Sequence, residues 1–401
     1  MQICILSPIY PVFSNPHLGV FVHEQAKFLV KNGHNVYVIT LGDSEDKKQE
    51  IKEGVNVYRI KIKSFFILKR LLFSLSMLKN LISLNKKYNF GIIHSHFVGP
   101  LTALIGLTSK LIKRPFVITA HGIGLLNDSR FKKILTKFYL SFPLKIICVS
   151  NYVAQLAAKY TKKNKIVVIN NGIDPEKLKP TRNVSDFKKK LNLKNEKILL
   201  SVGNLVERKG IGVIIKSLPE IVKIYPDIKY FIIGDGPEKK NLQKIVHELA
   251  LEKYVVFIDY VSDQDLANFY NICDIFVLMS KTIKEKEGIE GFGIVYIEAS
   301  YFGKPVIGGK SGGTADSIID GVTGYRIDPT DIKEFVNKVV LLLKNDKLRK
   351  KLGQQGMKRV KTQLLWKHNV NKLIKVYKSI ISLKQQNSTY VSYVKNRKVY
   401  S

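Results

Sequence analysis

Short apolar runs alternate along the chain with longer segments whose apolar positions recur at helical spacing. A short run rich in Val and Ile reads as a strand covered on both faces, and a strand followed by an amphipathic segment reads as one β-α unit of a parallel sheet. In the first half the pattern predicts strands at residues 2–7, 35–40, 55–60, 91–94, 116–120, 145–149 and 166–169, with helices over 22–32 and 151–159 among the connections. A second series follows, with strands at 197–202, 229–233, 254–258, 275–279, 305–308 and 324–327. Between the two lies a turn-rich, lysine-rich passage through Pro180 to Lys190, read as the interdomain connection. Past Trp366 the pattern is helical to about residue 384 without another strand, and residues 385–401 turn polar and basic, a tail expected to fray.

Two series imply two domains. At 401 residues the chain exceeds what one core organises, and a composition of 45% hydrophobic and 24% charged residues is that of a folded protein rather than a disordered one. The expected division is 1–175, 176–365, a helix over 366–384 and the tail 385–401.

Charge adds an attraction but not a partner. Sixty-six Lys and Arg against 32 Asp and Glu give a net charge of +34, enough to attract phosphorylated ligands, polyanions or anionic lipid. The lysines are scattered, and neither zinc-finger spacing, an RNP-like aromatic motif nor a basic region with heptads accompanies them, which excludes a nucleic-acid partner. Cys4, Cys148 and Cys273 stand far apart in apolar runs and read as reduced, packed thiols. The first strand carries no basic leader, and the apolar stretch from Phe65 to Leu84 is broken by Lys69, Arg70 and Lys79, so neither a signal peptide nor a membrane span is expected. The expectation is a cytoplasmic protein, with an anionic membrane surface on the inner face of the cell membrane as a candidate partner.

Candidate chemistry begins at Glu290-Gly-Phe-Gly-Ile-Val-Tyr-Ile-Glu298, a glycine-containing loop that follows a strand and opens a helix. Ligands of open parallel sheets bind beyond the carboxyl ends of strands, and a helix start offers unpaired N–H groups and a positive dipole end to phosphate. Glu290 precedes the helix and Glu298 falls within it, so the two carboxylates can accept hydroxyl hydrogen bonds from opposite ends of one elongated ligand. A second strand end, Leu200-Ser-Val-Gly-Asn-Leu-Val-Glu-Arg-Lys-Gly210, places Arg208 and Lys209 at another helix start, where they can neutralise a diphosphate.

These segments, taken together, resemble the retaining GT-B glycosyltransferases of family 4 (glycosyl transferases group 1). The resemblance runs through Gly19-Val-Phe-Val-His-Glu24, Asn32 to Thr40, Ile92-Ile-His-Ser-His96, Thr119-Ala-His-Gly122, Val149-Ser150, Asn171-Gly-Ile-Asp174, Gly203 to Gly210, Ile233 to Glu238, Glu290 to Glu298, Gly312-Gly-Thr314 and Gly321-Val-Thr-Gly324. It implies an α/β GT-B fold, two Rossmann-like domains with parallel sheets facing a central cleft: an acceptor-binding domain at 1–175, a nucleotide-sugar domain at 176–365, and a C-terminal helix crossing back. By the same resemblance Lys209 and Arg208 hold the donor diphosphate and Glu298 the ribose. Glu290 with the backbone of Phe292 and Gly293 holds the donor sugar, the Ile294 N–H faces a phosphate, His121 lies against the transferred sugar, and the loop around Gly19 approaches the diphosphate. His121, Lys209 and Glu290 are the expected catalytic set. The implied reaction moves a hexose with retained anomeric configuration through an oxocarbenium-like state, with no metal and no cofactor, to a glycan or lipid-linked acceptor.

The sequence also departs from the family pattern. Asn204 stands where an arginine is usual, so the donor side loses one cation and Arg208 is its substitute. Asp259 stands at a usual glycine near the expected base site, and Ala315-Asp316 replaces a commoner proline-glutamate. Asp263-Gln-Asp265 matches the acidic metal triplet of the other main glycosyltransferase fold, but Ser262 with Asp265 reads as a helix cap. His94 and His96 lack a further ligand and read as cleft-facing loop residues rather than a metal site. Gly234-Asp-Gly236 lacks the third glycine of a dinucleotide fingerprint. A nucleotide-sugar epimerase and a non-catalytic sugar- or membrane-binding protein are the rival readings; the presence of Lys209, Glu290 and Glu298 together favours catalysis.

Overall fold

The structure is a computed structural model that describes residues 1–62, 66–126, 129–283 and 288–397, with side chains described for these except 66–69 and 384–397. Phe65, at the start of the basic apolar stretch, part of the loop after Ser280 and the end of the tail lie outside the described residues.

The first sheet contains β1 (Gln2–Ser7), β2 (Asn35–Leu41), β3 (Gln49–Lys52), β4 (Val55–Ile60), β5 (Ile92–Ser95), β6 (Phe116–Ala120), β7 (Lys145–Cys148) and β8 (Ile166–Val168). Their order is β3-β4-β2-β1-β5-β6-β7-β8. All neighbours are parallel except β3 with β4. β3 escaped the hydrophobic pattern because its residues are polar apart from Ile51, which is exposed. Its signal is the turn: Glu53 and Gly54 both hold positive φ, 47° and 81°, the two-residue connection that matches strand twist in a hairpin.

The second sheet contains β9 (Lys197–Val202), β10 (Ile228–Ile233), β11 (Val255–Ile258), β12 (Ile275–Leu278), β13 (Val306–Gly309) and β14 (Gly324–Ile327), all parallel, in the order β11-β10-β9-β12-β13-β14. In each sheet the chain starts at a central strand, builds outward on one side and then crosses to the other. The crossing points lie between β1 and β5 and between β9 and β12. Ligand crevices of doubly wound sheets form at such points, beyond the strands' carboxyl ends.

The contacts divide the chain into two units, one of Met1–Val149, Val153–Ile169 and the helix from Trp366, the other of Ser150–Tyr152 and Asn170–Leu365. The passage read as a connection, Pro180 to Lys190, is part of the second unit instead. It contains the helix Val184–Lys190, capped where the Asn183 side chain accepts the Asp186 N–H, and Phe187 buries into the second core. At the other end, helix Trp366–Arg397 runs past the expected stop near 384. Val370, Leu373, Tyr377 and Ile380, spaced three or four apart, place one face of it in the core of the first unit with Ile3, Ile5 and Leu29.

Candidate functional site

The second unit's crossing point gathers most of the expected site. After β9 the chain turns at Gly203 and Asn204, makes a single 3-10 turn over Glu207–Lys209, and starts the helix Ile211–Ile224 at Gly210. After neighbouring β12 it passes Met279, Ser280 and Glu290 and starts the helix Ile294–Tyr301 at Gly293. Because β9 and β12 are adjacent, the two loops meet. Lys209 Nζ donates to Glu290 Oε2 at 2.6 Å, Ser280 Oγ donates to the same oxygen at 3.3 Å, and Arg208 Nη1 stands 3.5 Å from it. All three contacts fall on Oε2; none falls on Oε1.

Burial by itself would push the Glu290 carboxyl up. The charges of Lys209 and Arg208 and the hydrogen bonds from Lys209 and Ser280 outweigh it, and hold the group below the usual carboxylate range. The pair is thus an ionised carboxylate and an ammonium, each about nine-tenths buried, with a second cation beside them.

Backbone packing fixes the Glu290 loop. Gly312, at φ 53°, approaches so closely that an added Cβ would sit 2.2 Å from the Glu290 carbonyl oxygen. The Gly313 N–H donates to that oxygen at 2.7 Å. Phe292 is buried, and the Tyr296 hydroxyl donates to Leu278 O at 2.8 Å and lies 3.0 Å from Ser280 Oγ, packing against the serine that meets Glu290. The helix opens immediately after Gly293, leaving the N–H groups of Ile294 and Val295 without intrahelical partners.

Glu298 has a different environment on the same helix. Tyr270 Oη donates to it at 2.7 Å; burial, opposed by that bond and reinforced by the charge of Asp263, raises its carboxyl to about 7. Asn204 accepts a hydrogen bond from Tyr260, and Asp259 pairs with Lys239. Ser262 caps the helix Asp263–Ile272, its Oγ accepting the Asp265 N–H at 3.1 Å.

Gly19 and His121 belong to the first unit. Gly19, at φ 62°, starts the helix Val20–Lys31. His121 follows β6, packs on the Phe21 ring at 4.5 Å between centroids, and has its Nε2 3.2 Å from His96 Nδ1. His94, read as a loop residue, stands instead within β5, and His96 lies in the bend just past it; both are buried, and His94 bonds Tyr377 Oη at 2.6 Å and Thr119 Oγ1 at 2.7 Å. Among the described residues one further cluster has metal-binding residue types, His23, Glu24 and Glu53. Both Glu53 oxygens are already engaged there, by His23 Nε2 at 2.6 Å and Lys27 Nζ at 2.7 Å, which makes it a structural clamp.

Sequence reasoning missed Ser280, Tyr296 and Tyr270, which support the site through contacts between strands and helices that are distant in sequence. The only available signal was their position at or near the ends of strands and helices flanking the crossing point.

Comparison with known proteins agrees with this architecture. The family model described as Glycosyltransferase Family 4 matches residues 18–177, and that described as Glycosyl transferases group 1 matches residues 183–359. An uncharacterized glycosyltransferase of Methanocaldococcus jannaschii is 27% identical over 94% of this chain and 99% of its own length. The capsular polysaccharide biosynthesis glycosyltransferase CapM of Staphylococcus aureus is 29% identical over 85% and 90%. Among solved structures, Anabaena HepE in complex with UDP and glucose superposes with a TM-score of 0.77 at 19% identity, covering 94% of this chain and all of that one. Matches to both family models, full-length glycosyltransferase relatives and a shared two-sheet fold place the chain in the group 1, family 4 glycosyltransferases, as a transferase of the GT-B fold.

Proposed function

We propose that the enzyme moves a hexose from a nucleoside-diphosphate sugar to a glycan or lipid-linked acceptor, with retained anomeric configuration and without a metal. The observation that carries this reading is the meeting of Lys209, Arg208 and Glu290 beside the free helix start at Ile294. Two cations and a helix N-terminus answer the charge that builds on a departing diphosphate, the part a metal plays elsewhere. Glu290 holds Lys209 through Oε2 and offers Oε1 to sugar hydroxyls, with the Phe292 and Gly293 backbone beside it. Glu298 takes the ribose diol. Asn204 lies on the donor side, and the roles of Gly19 at the diphosphate and His121 at the sugar extend the reading to the first unit on sequence resemblance.

A screen of UDP, GDP and their sugar conjugates for binding, followed by hydrolysis of the tightest donor, tests this. Transfer or slow hydrolysis is expected. Epimerisation of the donor without transfer would replace the reading with the epimerase.

The Glu298 environment predicts a pH dependence. Its carboxyl is raised to about 7, so the free enzyme holds a proton there that the unfolded chain releases above about 4.5; this contribution to stability falls as pH rises through that window. Diol hydroxyls donate to the ionised form. Nucleotide affinity should therefore tighten as pH rises from 5.5 to 7 and level off above, and Glu298→Gln should flatten the trend in calorimetric titrations.

For the acceptor side, helix Arg130–Ser141 exposes Phe131, Ile134 and Phe138 at 68%, 66% and 52%, spaced along one face, among Arg130, Lys132, Lys133 and Lys137. Such a face suits an anionic membrane surface. Among the described residues no helix is long and apolar enough to cross a membrane. Co-sedimentation with anionic vesicles at low salt, lost in Phe131→Ser/Phe138→Ser, is the expected result.

A further inference from the structure

His94 and His96 lie two apart on β5 and its end, and Thr119 and His121 two apart on neighbouring β6 and its end, so all four side chains share one face of the first sheet. Three imidazoles line up there: His94 and His96 tilted at 4.5 Å between centroids, His96 and His121 stacked at 5.5 Å. Burial above all drives the pKa of each down, His94 to about 3 and His121 to about 4, so all three are neutral at ordinary pH. A neutral imidazole carries one proton, on one of two nitrogens.

Proton placement follows from the hydrogen bonds. The pair His96 Nδ1 and His121 Nε2, 3.2 Å apart, needs one donor and one acceptor. If His121 donates from Nε2, His96 must carry its proton on its own Nε2. That atom is buried, and among the described residues it has no hydrogen-bond partner. A buried N–H left unpaired is rarer and costlier than a buried lone pair. The favoured arrangement therefore has His96 donating from Nδ1, His121 accepting at Nε2, and the His121 proton on Nδ1. Nδ1 of His121 has no hydrogen bond among the described residues, and the side chain keeps partial exposure. His94 supports the arrangement from behind, pinned between Tyr377 of the C-terminal helix and Thr119.

We infer that His96 is a positioning residue that locks His121 in the Nδ1–H tautomer, so that His121 meets a hydroxyl-bearing ligand as a neutral hydrogen-bond donor rather than as an acid. The ligand clause rests on the proposed function; the tautomer does not. Long-range ¹H–¹⁵N correlation spectra of the free, full-length, histidine-labelled enzyme at pH 7 test it, with His121 assigned by difference from His121→Gln. Wild type should show protonated Nδ1 and bare Nε2 at His121. His96→Asn, whose amide N–H can still donate, should keep that pattern, with kcat/KM within about threefold of wild type. His96→Leu should release His121 to the Nε2–H form and lower kcat/KM roughly tenfold, the scale of one lost neutral hydrogen bond. Protonated Nε2 at His121 in wild type, or an unchanged pattern in a folded His96→Leu, overturns the inference. The spectra need no donor, so they decide the tautomer even if the transfer assignment fails.

Discussion

Replacing Lys209 with alanine is expected to lower donor turnover by about a thousandfold, the scale on which removing one preorganised charge-stabilising donor acts. The variant also leaves a buried Glu290 carboxylate whose remaining partners among the described residues are Arg208 at 3.5 Å and Ser280 at 3.3 Å. Breaking a buried ion pair by removing one partner costs about 3–5 kcal/mol of stability, so a drop in melting temperature should accompany the loss. The two effects separate in the double variant Lys209→Met/Glu290→Gln. With no unpaired charge left inside, its melting temperature should return toward wild type, while turnover stays as low as in the single variant or lower. Turnover of Lys209→Ala within threefold of wild type would remove Lys209 from the site.

Gly312→Ala is expected to cut turnover by about a hundredfold although residue 312 bears no side chain. The new Cβ would stand 2.2 Å from the Glu290 carbonyl oxygen and 3.1 Å from its carbon, both backbone atoms, at a φ of 53° that is itself unfavourable for alanine. The Glu290 loop must move. A displacement of about 1 Å in a positioning group can cost a hundredfold in rate. Nucleotide affinity should fall less than turnover, because Arg208 and Lys209, the cations proposed for the diphosphate, sit on the other loop. A hydrolysis assay beside a calorimetric titration separates the two quantities, and unchanged turnover in a folded Gly312→Ala would show that the loop tolerates the shift.

Much of the fold was legible because buried parallel strands write themselves as short apolar runs, and β1, β4, β6, β9 and β14 carry the bounds expected from the pattern. β3 was not, since an edge strand with polar residues has no apolar run and announces itself only through the Glu53-Gly54 turn. The helix Val184–Lys190 was hidden by its lysines; its anchor is the single buried Phe187.

At the site, Arg208, Lys209, Glu290 and the helix start at Ile294 stood out as residues of the right chemistry at strand ends. What the sequence could not display was their mutual geometry. Lys209 and Glu290 were expected on the diphosphate and the sugar; that they form one buried pair, although 81 positions apart, follows from β9 and β12 being neighbours in the sheet. Ser280 and Tyr270 belong to the same class of information: each acts through a partner that only the fold brings near. His94 and His96 carried a metal-like spacing, and the partners that engage them, Tyr377 and Thr119 for His94 and His121 for His96, came from other elements.

Binding of a nucleoside-diphosphate sugar by the second unit, through Lys209, Glu290 and Glu298, is the core of the proposed function. Its most direct test is calorimetric titration of UDP and GDP, with their sugar conjugates, into wild type, Lys209→Met/Glu290→Gln and Glu298→Leu. Wild type should bind one diphosphate tightly and prefer one base. The double variant should lose affinity for the diphosphate, and Glu298→Leu should lose affinity for the nucleoside part, each at least tenfold. Equal binding by all three proteins, or no nucleotide binding by wild type, would contradict the account.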